Sequence, residues 1–130
     1  MHKLYEVNLS HKADFRVKYK FYTPAECGRT MLPSQGYRSD FWYPHEGGNE
    51  NRIFMIHPQF EDENGDVILE INRLVKENGT AKMWIVMPMM REYHKTRIII
   101  GTKGYFKEGP NTVAECEVIE IIGLLENPTN

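Results

Sequence analysis

The residue types best suited to metal or acid–base chemistry are the five histidines, His2, His11, His45, His57 and His94. They are scattered, with no His-x-His and no His-Glu-x-x-His, so their spacing does not build a zinc site. Cys27 lies two residues before Arg29, and a neighbouring cation lowers a thiol's pKa and favours the thiolate. A lone loop cysteine is nonetheless inert more often than reactive. Glu61, Asp62, Glu63 and Asp66 flank Asn64-Gly65 and would attract a divalent cation. They lack the ligand order of a calcium loop, and a solvated acidic turn accounts for them. Gly101-Thr102-Lys103-Gly104 is too short to cradle a phosphate and reads as a turn. No Gly-x-Ser-x-Gly or Walker-type loop occurs. The expectation is a protein without enzymatic activity, cofactor or metal.

Binding chemistry is better represented. Arg91-Glu92-Tyr93-His94-Lys95-Thr96-Arg97 is locally basic, and Lys103, Tyr105 and Lys107 follow it. Cations interleaved with aromatics track a nucleic-acid strand by charge and stacking, although such a run is also the makeup of a wet loop and strand edge. The formal net charge is −2, so a nucleic-acid partner requires a local basic patch. Tyr37, Phe41 and Tyr43 share one face of a strand, leaving Arg38 and Trp42 opposite. Most of these aromatics, with Trp84, Met83, Met87, Met89 and Met90, suit a core in which methionine fills gaps. If Trp42 or Met89-Met90 lie at the surface, they form a protein-binding patch.

The elements that position these residues are short strands. Phe15, Val17, Tyr19 and Phe21 alternate with Arg16, Lys18, Lys20 and Tyr22, the period of a half-buried strand. A long loop with two prolines and two glycines runs from Thr23 to Gly36, and long loops in compact domains are often functional. Further strands are expected at Tyr37–Tyr43, Arg52–Ile56, Ala81–Met87 and Arg97–Ile100. Asn64-Gly65, Asn78-Gly79, Gly101–Gly104 and Glu108–Asn111 mark turns. Asp66–Glu77 fits a strand through Val67, Leu69 and Ile71. It fits a helix equally through Ile68, Ile71, Leu74 and Val75. In the last strand Ala114, Cys116 and Val118 oppose Glu115 and Glu117. That alternation slips at Ile119–Ile122, which predicts a bulge.

A chain of 130 residues, 41% hydrophobic, suffices for one core without disulfides, and its two cysteines make no framework. Neither a secretory signal nor a membrane-spanning run is present, so a cytoplasmic location is expected. One barrel or sandwich domain is expected over residues 14–123. Residues 1–13 form an N-terminal extension and 124–130 a C-terminal tail.

Phe15, then Cys27-Gly28-Arg29, then Gly36-Tyr37-Arg38-Ser39-Asp40-Phe41-Trp42-Tyr43 resembles the opening of the third, C-terminal domain of elongation factor Tu. There a strand beginning with Phe leads to a Gly-Gly-Arg-His-Thr-Pro loop and a Tyr-Arg-Pro-Gln-Phe strand. Leu74–Met83, Pro88, Arg97–Ile100 and Asn111–Ala114 are similar to later segments in order and spacing. The resemblance covers about residues 14 to 123 and implies an all-β fold, a closed antiparallel β-barrel. It also implies strand plus turn for Asp66–Glu77.

The resemblance places tRNA-stem contacts at Arg29 and Thr30, with Gly104 near a second such loop. Tyr37, Arg38 and Lys103 complete the candidate partner-binding surface, and Lys107 adds a phosphate contact if it shares that face. The competing expectation is that Arg29 folds back onto its own loop. Cys27, Thr30 and Ser39 depart from the family's Gly, His and Pro. Extra residues sit at Pro44–Asn51 and Tyr105–Pro110. Without a nucleotide domain no GTP binding is expected. The expected function is a stand-alone binding module for a translation-related protein or a tRNA-like RNA. The alternative is an immunity or antagonist protein that binds a toxin or partner by imitating part of the factor.

Overall fold

The alternating residues from Phe15 form the central strand of the sheet. The computed structural model describes residues 1–26, 28–45 and 52–130; the Cys27 thiol and most of the Pro44–Asn51 insertion lie outside the described residues. Strand β1 is Phe15–Phe21. Its Phe15, Val17, Tyr19 and Phe21 are buried while Lys18 and Lys20 face solvent. The other strands are β2 Asp40–Trp42, β3 Ile56–Phe60, β4 Asn78–Ile85, β5 Lys103–Glu108 and β6 Asn111–Ile121. Short helices α1 Tyr5–Leu9 and α2 Arg91–His94 lie outside the sheet.

The six strands make one antiparallel sheet in the order β2-β5-β6-β1-β4-β3. It curls into a half-barrel around an aromatic core. Phe21–Phe106 and Tyr19–Phe60 pack edge to face with ring centroids 5.8 and 5.3 Å apart, the favoured arrangement of ring quadrupoles. The edge strands approach at one antiparallel bridge. Phe41 N–H donates to Phe54 O at 2.9 Å and Phe54 N–H to Phe41 O at 2.8 Å. The slip expected near Ile119 is a bulge: Arg16 pairs with Glu120 but Val17 with Val118, leaving Ile119 extra.

Several expectations are corrected. Of Tyr37–Tyr43 only Asp40–Trp42 is strand, and the third strand begins at Ile56 rather than Arg52. Arg97–Ile100 is not a strand. The chain there leaves α2, with Ile98 N–H bonded to His94 O at 2.8 Å. Ile98 enters the core while Ile99 and Ile100 are exposed. β5 takes the place beside β6, and it begins at Lys103-Gly104, where a turn was expected. Asp66–Glu77 is neither helix nor regular strand; single bridges Glu61–Val67 and Ser34–Leu74 hold it. A side chain does the work of a neighbouring strand here. Buried Gln35 donates through Nε2 to Phe60 O (2.8 Å) and Ile68 O (2.7 Å), and its Oε1 accepts from Phe60 N–H. No helix among the described residues is long and apolar enough to cross a membrane.

Candidate functional site

The β1–β2 connection carries four of the candidate residues. Arg29 donates through Nε to Met31 O at 2.9 Å, so it does hold its own loop. Its Nη1 also pairs with Glu108 at the end of β5, and the Tyr37 hydroxyl donates to the same carboxylate oxygen. The guanidinium stands over the Tyr37 ring at 4.9 Å, an attraction between cation and ring face. Burial and then Glu108 push the Tyr37 phenol up from its usual range. Burial opposes the charge on Arg29, but Glu108 outweighs it and holds the guanidinium above its ordinary pKa. Thr30 and Arg38 are both exposed, but the Arg38 charge acts on Tyr5, which packs against His2 and Trp84, and not on this cluster. Glu108 was invisible in the sequence, where it sits in a Glu-Gly-Pro-Asn turn 79 residues from Arg29.

Lys103 and Gly104 lie on β5, and they part company there. Lys103 points to solvent and pairs with Glu117. Hydrogen bonding to that carboxylate raises its pKa. Register sets Glu117 between Lys103 on β5 and Lys18 on β1. One row over, Glu115 stands between Tyr105 and Lys20. A shallow groove of about 580 Å³ follows these rows. Its lysines alternate with carboxylates, so it does not present the uninterrupted cation stripe that a phosphate backbone selects.

Gly104 serves packing. A Cβ placed there would meet Phe41 Cζ at 2.2 Å, and Phe41 is completely buried. Gly104→Ala is therefore expected to cost about 1–3 kcal/mol by overpacking. A lower urea midpoint at unchanged m-value checks this, and an unchanged midpoint refutes it.

The basic run does not assemble into a nucleic-acid track. Arg91 is fully buried and bonded to Asp14, and His94 is buried too. Lys95 pairs with Glu92 at 3.0 Å, and Arg97 lies over the Tyr93 ring at 3.7 Å. Of the other surface candidates, Trp42 is half-buried against Tyr105 at 5.7 Å. Met89 is exposed and Met90 is partly covered. Cys116 is buried, and burial pushes its thiol up to about 12, which makes it unreactive at neutral pH. Among the described residues no three His, Cys, Asp or Glu side chains gather as a metal site.

No protein-family model matches the chain, and no curated protein matches it either.

Proposed function

We propose that the chain is a non-enzymatic binding module, a closed antiparallel barrel similar to domain 3 of elongation factor Tu, and that its partner is a protein. The Phe41–Phe54 bridge joins the two sheet edges and supports closure. The pairing of Arg29 with Glu108 and of Lys103 with Glu117 carries the choice of partner. An RNA stem must displace those carboxylates before it gains a phosphate contact. A protein surface needs no such exchange. It gains from a charge-balanced cluster of Arg29 and Tyr37 with exposed Met31 in the same loop, residue types in which interface anchors are enriched.

The test is a titration with bulk tRNA at two salt concentrations, beside affinity purification from the native cell. The expected result is at most weak tRNA binding that Arg29→Ala leaves unaltered, with recovery of a protein whose binding Tyr37→Ala abolishes. Tight tRNA binding that falls steeply with salt and is lost in Arg29→Ala would reverse the assignment to RNA. Recovery of a toxin-like protein would select the antagonist role within the same reading.

A further inference from the structure

On the α2 side of the molecule, away from Arg29 and Glu108, a cavity of about 180 Å³ is lined by Arg52, Phe54, Met55, Met87, Met90 and His94. Tyr43 and His94 behind it are both completely buried. The Tyr43 hydroxyl and His94 Nδ1 are 2.7 Å apart. That hydroxyl has no other hydrogen bond among the described residues, and a buried O–H spends its proton where an acceptor is available. Tyr43 therefore donates to Nδ1, and the neutral ring carries its own proton on Nε2. Burial first, then the charges of Arg52 and Arg97, push His94 down to about 4, so the ring is neutral at physiological pH.

Nε2–H is then a buried donor without a hydrogen-bond partner, a group that carries its full desolvation cost. Arg52 supplies a cation at the same cavity. Its guanidinium stands 5.4 Å from the Phe54 ring centroid and reaches Met90 Sδ at 3.5 Å. No carboxylate among the described residues pairs with it in an ion pair. One buried donor with no hydrogen-bond partner and one cation with no carboxylate partner among the described residues, with walls of thioether and phenyl, call for an anionic acceptor joined to an apolar body. The volume falls below the roughly 300–1,000 Å³ of pockets for drug-sized ligands, so the ligand is small, and flexible methionines adapt to its tail.

We infer that this cavity binds a small monocarboxylate with an apolar body, its head received by Arg52 and His94 Nε2–H and its tail by Phe54, Met55, Met87 and Met90. The site shares no residue with the Arg29–Glu108 cluster and stands whether or not the partner assignment above holds.

Hexanoate, hexanol and hexylamine are suitable probes, read by the histidine ¹⁵N resonances and by thermal melting of the whole chain. Hexanoate is expected to shift the His94 Nε2 signal saturably and raise the melting temperature, hexanol to do so weakly and hexylamine not at all. Exposed Arg52 can be replaced without disturbing the core, and Arg52→Gln should weaken hexanoate binding by about tenfold or more. Equal responses to hexanoate and hexanol, or an Arg52→Gln variant that binds hexanoate as the parent does, would overturn the proposal. So would no saturable response to any probe. That result would leave Nε2–H resting on the Phe54 ring, whose centroid is 4.5 Å from that of His94.

Discussion

Arg91→Met is expected to cost the fold about 3–5 kcal/mol, the usual penalty for removing one partner of a buried ion pair. Arg91 and Asp14 are both fully buried, and Arg91 Nε donates to Asp14 Oδ1 at 2.7 Å. The remaining capacity of the carboxylate is used as well. Ile85 N–H donates to Oδ2 at 2.8 Å, Arg91 Nη2 to Oδ2 at 3.3 Å and Asn127 Nδ2 to Oδ1 at 3.0 Å. Arg91 also donates through Nη2 to Ile85 O at 3.1 Å and through Nη1 to Pro128 O. Four pieces of chain meet at this pair: the entry to β1, the end of β4, α2 and the C-terminal segment.

Methionine fills much of the arginine's volume but leaves a dry carboxylate facing no cation. A small domain is stable by roughly 5–15 kcal/mol in total, so the loss consumes a large share of it. Urea denaturation measures it directly, and the melting temperature should drop by roughly 10–20 °C. A loss below about 1 kcal/mol would mean that Asp14 finds water or protonates at little cost. Arg91→Lys should fall between, because an ammonium keeps the charge but cannot match the fork of bonds.

The second large effect is an acid limb set by His94. In the folded chain its imidazole takes a proton only near pH 4, held down by burial and then by Arg52, Arg97, His45 and Arg91. In the unfolded chain it titrates near 6.5. Between those values the unfolded state binds more protons, so stability is complete above about pH 6.5 and falls as pH drops towards 4. The interval corresponds to about 3 kcal/mol. His2, also lowered by burial, adds in the same direction. Glu26, Glu63, Glu117 and Glu126 are held below their ordinary value of 4.5 by hydrogen bonds, so they add a further loss only as pH falls through about 4.5 and below, at the bottom of this window.

Urea midpoints from pH 7.5 down to 5 should therefore decline in the parent chain and stay nearly level in His94→Gln. The same slope in both, or a His94 ring that titrates near 6 by NMR, would remove the assignment. Tyr43→Phe offers a second check. It deletes the hydroxyl that sets the tautomer while keeping the ring packing, and it should move the His94 resonances without removing the acid limb.

Features that depend on one strand's own periodicity were legible in the sequence. The two faces of β1, the aromatic inward face of Phe41 and Tyr43, and the bulge at Ile119 all follow from a period of two and its interruption. The Arg91–Arg97 run was misleading for the complementary reason. Its composition is basic, yet Arg91 is spent on Asp14, 77 residues away, and no local pattern reports such a partner. Asp66–Glu77 satisfied two periodicities and adopted neither; Ile68 O accepts from the Gln35 amide, Ile68 N–H donates to Phe60 O and Val75 N–H to Pro33 O, partners outside the segment that no local pattern reports.

The candidate site divides along the same line. Arg29 to Arg38 and Lys103-Gly104 were nominated from residue types, spacing and resemblance, and Lys103-Gly104 opens a strand where a turn was expected. The electrostatic character of the site was not legible. Whether Arg29 and Lys103 are free cations or halves of ion pairs depends on where Glu108 and Glu117 fall: strand register sets Lys103 against Glu117, and the path of the β1–β2 loop brings Arg29 to Glu108. The sequence by itself determined the two faces of β1 and the inward face and bulge of β6, whereas β3 fell further along the chain than expected and β5 lies where a turn was expected. Tertiary structure decided which charges are neutralised, which glycine is pressed against a phenyl ring and which histidine is left holding an unshared proton. Side-chain alternation is a property of neighbours along the chain, whereas charge balance and burial belong to neighbours in space.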